Sequence, residues 1–71
     1  MRKLTEITFL VEDADESGFL ARALGESIFT DADDFETLRR NVREAVQCHF
    51  DDGEAPDLIH LHYVRDEVIA V

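Results

Sequence analysis

An α+β domain in the order β-β-β-α-β(-β), an antiparallel sheet crossed on one face by a single helix, is what the sequence predicts. Three observations carry that expectation. Apolar and polar residues alternate near the start of the chain, a stripe at three- and four-residue steps occupies the middle, and a second alternating run follows it. With 71 residues the chain holds one small domain, expected over positions 1–71.

Residues 4–12, LTEITFLVE, set Thr5, Ile7, Phe9 and Val11 against Glu6, Thr8, Leu10 and Glu12. A period of two rich in β-branched and aromatic residues is the pattern of a half-buried strand. The polar run DADESG over 13–18 ends in glycine and reads as a turn. A second strand over 19–24 then places Phe19, Ala21 and Ala23 on one face and Leu20, Arg22 and Leu24 on the other, close enough for an antiparallel hairpin. Gly25 and Glu26 turn the chain into a short third strand at 27–30. From Asp33 onward Phe35, Leu38, Val42, Ala45, Val46 and His49 form one helical face. Asp33 is positioned to cap the first turn with Glu36 as the reciprocal half of a capping box. Glu36–Arg40 and Arg40–Glu44 are spaced to pair on the outer face. Asp51, Asp52 and Gly53 end the helix, and Pro56 prevents its resumption. LIHLHYV, 58–64, is a fourth strand with Ile59, Leu61 and Tyr63 on one face; Arg65 and Asp66 are expected to turn it into a final strand or extension, EVIAV, at 67–71.

One helix covers one face of such a sheet. The opposite face carries Leu10, Leu20, Leu24, His60 and His62, with Leu58 or Val64 beside them, and is the expected oligomer face. A chain this short buries only about 60% of the surface its unfolded form exposes, so association is the expected supplement to a small core. A bare strand edge at the end of the chain invites the same association, and a homodimer or tetramer is expected. The lone Cys48 and the lack of a signal peptide fit a reducing, cytoplasmic setting. No run approaches the roughly 18 apolar residues of a membrane span.

Seventeen acidic residues against seven basic ones give a net charge of −10. Nucleic-acid binders need clustered cations to displace counterions from phosphate, and this chain has one lysine, so no direct nucleic-acid contact is expected. A basic protein is electrostatically favoured as partner. Acidic surfaces also serve solubility, and salt-adapted proteins use them widely.

The stretch from Thr5 to Phe50 resembles the HicB-like antitoxin domain. The residues that carry the likeness are Asp13, Asp15, Glu16, Gly18, Phe19 and Ala21 around the first turn. In the helix they are Asp34, Glu36 and Leu38, followed by Asn41-Val42-Arg43-Glu44-Ala45-Val46. The segment from Pro56 through IHLHYVRDEV is similar to short single-domain members of that superfamily. The resemblance implies a partial ribonuclease-H-like fold, usually dimeric or tetrameric, and a small basic ribonuclease toxin as partner. Full antitoxins add a DNA-binding module that these 71 residues do not contain. Where the family usually has a proline after the second strand, this chain has Ala23-Leu24-Gly25, and the glycine expected before the helix cap is replaced around Ala32 and Asp33.

Other constellations point less far. His60 and His62, two apart on a strand, leave the same face, a geometry that metal sites use, but no paired CxxC or HxxxH signature accompanies them. On the oligomer face they would make the contact sensitive to pH. Arg39, Arg40 and Arg43 form a cationic group whose simplest reading is pairing within the helix, with anchoring of an acidic neighbour as the alternative. Cys48 adjoins His49, yet helical neighbours point about 100° apart and a helix C-terminus disfavours a thiolate, so Cys48 reads as a filler. No phosphate loop, nucleophile elbow or dinucleotide fingerprint is present. The expectation is therefore a non-enzymatic interaction module without metal or cofactor. Its partner-facing residues are Asp13, Asp15, Glu16, Asp31, Asp33 and Asp34. An orphan structural or regulatory homo-oligomer is the alternative, and a metal-dependent or nucleolytic enzyme the third.

Overall fold

A computed structural model describes residues 5–71. Its elements are β1 (Glu6–Asp13), β2 (Phe19–Ala23), β3 (Phe29–Ala32), α1 (Phe35–His49) and β4 (Leu58–Val64). The four strands form one sheet in the order β3-β2-β1-β4, so the α+β class and the β-β-β-α-β order follow the pattern in the sequence. Leu4, the start of the predicted first strand, lies outside the described residues.

The sheet is mixed, which corrects the all-antiparallel expectation. β1 pairs antiparallel with β2, and β2 with β3, but β4 lies parallel to β1 in the register Glu6↔Leu58 through Glu12↔Val64. The cause is directional. Three strands of a meander leave the chain at the end opposite its start, α1 carries it back, and the next strand must run as β1 does. A parallel pair needs such a crossover, and α1 supplies it.

Other bounds differ from the sequence pattern as well: β1 runs Glu6–Asp13 rather than ending at Glu12, and β2 ends at Ala23 rather than Leu24. β3 begins at Phe29 rather than two residues earlier, because Ala23 N donates to Ile28 O (2.9 Å) and closes a longer turn, with Ile28 buried in the core. The helix cap is Asp34, not Asp33. Its Oδ1 accepts the Thr37 N–H at 2.7 Å, and with Thr37 three residues on there is no capping box with Glu36. Of the two expectations for the residues after β4, a final strand or an extension, 65–71 take the extension. A two-residue hairpin there would require positive φ at the turn, which Arg65 and Asp66 do not adopt.

The core lies between α1 and one face of the sheet. Ile7, Phe9 and Val11 of β1 meet Ala21 and Ala23 of β2 and, from the helix, Leu38, Val42 and Val46. Asparagine at 41 ties helix to sheet, its Nδ2 donating to Asp31 O at 3.0 Å. The expected intrahelical pairs Glu36–Arg40 and Arg40–Glu44 do not close: the ion pairs within 4 Å among the described residues are His49–Glu26, His60–Glu6 and Arg65–Asp13. His49, counted in the apolar stripe, is exposed and hydrogen-bonded to Glu26 at 3.1 Å. No helix among the described residues is long and apolar enough to cross a membrane.

Candidate functional site

Strand alternation sends every second side chain of β1, β2 and β4 away from α1. Leu10 stands opposite Arg22 on β2 and His62 on β4, and Arg22 stands opposite Phe29 on β3. The next row runs Asp31, Leu20, Glu12, Val64 across the four strands. His60 lies opposite Thr8, whose carbonyl accepts the Leu24 N–H at 2.9 Å. All five residues predicted for an oligomer face therefore share the side of the sheet that the helix leaves open. Phe29, 63% exposed, joins them. The sequence reading missed it because the third strand was placed two residues early, which left its facing undefined; its register with Arg22 is the signal.

On this face His60 Nδ1 lies 3.3 Å from Glu6 Oε2, and the two imidazole centroids are 6.4 Å apart. Among the described residues no group of three or more His, Cys, Asp or Glu side chains is gathered to hold a metal ion. Cys48 is an exposed free thiol.

The acidic residues are more closely organised. The β1–β2 turn, with Asp15 and Glu16, and the β3–α1 junction, with Asp31, Asp33 and Asp34, meet at one end of the sheet. The contact is made by Gly18, whose φ of +88° suits glycine alone and whose Cβ, if present, would lie 2.6 Å from Ala32 O. Gly18 thus brings two segments about fifteen residues apart in sequence against each other. Around Leu20 two clefts open there. One, of about 410 Å³, is lined by Glu12, Asp13, Asp15, Leu20, Val64 and Asp66. The other, of about 110 Å³, has Phe19 and Leu20 with Asp31 and Asp33 in its wall. Neither is lined by a basic side chain.

Not all six predicted partner-facing carboxylates are equally available. Asp13 accepts the Tyr63 hydroxyl at 2.6 Å and pairs with Arg65 Nε at 3.2 Å, which locks the ends of β1 and β4 together. The hydrogen bond to Asp13 raises the Tyr63 phenol above its ordinary value of 10.0. Asp34 is committed to the helix cap, and the Thr37 N–H holds its carboxyl below the usual 3.8. Asp15, Glu16, Asp31 and Asp33 are exposed and take part in none of the ion pairs among the described residues.

A protein from Archaeoglobus fulgidus, described as a UPF0150 protein, is 52% identical over 56 residues, spanning 79% of this chain and 83% of its own length. A second UPF0150 protein, from Thermotoga maritima, is 38% identical over 71 residues and covers both chains completely. The chain belongs to the UPF0150 family. Membership across an archaeal and a bacterial relative extends over the open sheet face, the acidic turn and the residues after β4, since the second alignment runs through all of them. No family model matches the chain. No solved structure matches it either.

Proposed function

We propose that this chain is a non-enzymatic protein-interaction module of the HicB-like antitoxin type, which assembles with copies of itself and neutralises a small basic protein. The observation that carries the reading is the acidic end of the sheet. Leu20 lies between two clefts whose charged groups are all carboxylates. A lysine or arginine suits that arrangement, with its aliphatic stem on Leu20 and its charged head among Asp15, Asp31 and Asp33. The net charge of −10 adds a long-range pull on a cationic partner. A ribonuclease toxin carries cationic surface for RNA, and an acidic cover on that surface excludes the RNA. The rest of the open face, with Leu10, Leu24 and Phe29, is suited to self-association.

The test uses the chain with a small affinity tag, expressed in its own host. A stoichiometric, small, basic protein is expected to co-purify and to be released as salt rises. A variant carrying Asp15→Lys, Glu16→Lys, Asp31→Lys and Asp33→Lys is expected to lose that partner and keep its fold. Binding and salt dependence unchanged by the reversal would overturn the proposal, as would recovery of self-oligomers alone.

A further inference from the structure

Two features on the β4 side of the molecule lack a counterpart among the described residues. The first is a groove between α1 and the outer edge of β4, lined by Arg39, Val42, Arg43, Val46, Ile59 and Leu61; its upper part encloses about 150 Å³ and its lower part, reached past Ile59, about 400 Å³. Ile59 and Leu61, on the strand at the edge of the sheet, pack against the core and remain only half-buried. The second is the segment 65–71. It follows β4 with no regular structure, and it holds Val68 96% exposed, Ile69 75% exposed and Val71 fully exposed.

We infer that segment 66–71 of one copy pairs antiparallel with the free edge of β4 in a second copy and seats Ile69 and Val71 in that groove, with the second copy returning the same contact. This rests on the self-assembly half of the proposed function and adds to the open sheet face a second self-contact, along the β4 edge. Among the described residues β4 is an edge strand with one unpaired row of backbone groups, which an extended segment satisfies by strand addition. Residues 66–71 suffice to face 59–64 of the second copy one for one.

A two-fold axis at Arg65, perpendicular to the sheet, sets the register. Directly opposite residues of an antiparallel pair share a face, so Ile69 falls beside Leu61 and Val71 beside Ile59, all on the helix side. Glu67 falls beside Tyr63. That tyrosine packs at a tilt against Phe35, ring centroids 6.0 Å apart, and the Arg39 guanidinium lies 5.5 Å from the Phe35 centroid. The acidic residue of the incoming segment thus approaches Arg39, and neither Arg39 nor Arg43 has a carboxylate within 4 Å among the described residues. The two Arg65 side chains that meet at the axis are each already paired with their own Asp13. The same segment folded back on its own β4 through a two-residue turn would have the opposite facing, with Val68 and Ala70 toward the helix. It would also need the positive φ that Arg65 and Asp66 lack.

Sedimentation or light scattering of the full chain over a concentration series is expected to show a dimer. Ile69→Asp with Val71→Asp is expected to give a monomer with an unchanged circular dichroism spectrum, because neither residue touches the core. In a Cys48→Ser background, Leu61→Cys with Ile69→Cys is expected to form an interchain disulfide on oxidation. A monomeric wild-type chain, a dimer that survives the double aspartate substitution, or no interchain disulfide overturns the inference. These outcomes are separate from those of the partner test. The charge-reversed variant keeps 66–71 intact, and the double aspartate variant keeps the acidic clefts intact.

Discussion

The two halves of the helix-facing sheet surface carry the same kind of sequence and meet different fates. Phe9, Val11 and Ala21, on β1 and β2, are fully buried beneath α1. Ile59 and Leu61 alternate as regularly on β4 and remain half-exposed, and Tyr63 is exposed. What separates them is the place of each strand in the sheet: β1 is flanked by β2 and β4, whereas β4 has a neighbour on one side only among the described residues, so its helix-facing side chains pack against the core at one flank and meet solvent at the other. Alternation specifies which side of a strand is apolar. Whether that side becomes core or contact surface depends on what surrounds it.

The largest effect that can break this comparison is a cavity under the helix. Phe9→Ala is expected to cost about 3–5 kcal/mol, enough to unfold much of a domain this small. Leu24→Ala, on the open face and 50% exposed, is expected to stay within about 0.5 kcal/mol. Urea unfolding of the two variants side by side measures the gap, and equal losses would place Leu24 in the core. A smaller effect comes from the turn that joins the two acidic segments. Gly18→Ala introduces a side chain at a φ of +88° and 2.6 Å from Ala32 O, and is expected to destabilise by at least about 1 kcal/mol. A neutral result by the same measurement would detach the β1–β2 turn from the β3–α1 junction.

The smallest effect distinguishes a carboxylate with a structural role from those left for a partner. The folded state holds Asp34 below its ordinary 3.8, so its stabilising contribution is fully present above that value and fades as pH falls through the folded value. Asp34→Ala is expected to lower the melting temperature by a few degrees near neutrality, with wild type and variant converging in strong acid. Asp33→Ala is expected to leave the melting curve nearly unchanged at every pH. The reverse ranking would return the cap to Asp33.

Much of this molecule was written locally. The alternation of Ile7, Phe9 and Val11 and the stripe Leu38, Val42, Val46 identified core residues correctly because side-chain periodicity is a property of the strand or helix itself. β4 was delimited as closely, with Pro56 and Asp57 before it and Arg65 and Asp66 after it. The five members of the open face were legible for the same reason. Phe29 was not, since its facing depends on where β3 begins, and that follows from Ile28 turning into the core. Asp13 shows the limit for the acidic residues. Nothing near it in sequence announces Tyr63 and Arg65, fifty and more positions away, as its partners.

By itself, then, the sequence determined the element order, the faces of the strands and helix, and the strong negative charge, all of which follow from local spacing and composition. Only the tertiary structure decided that β4 lies parallel to β1 and that two acidic segments meet at Gly18. It alone decided, too, that the helix leaves a groove along the β4 edge. Those outcomes depend on which distant surfaces pack together, and burial of apolar area rewards a match without regard to the sequence distance it spans.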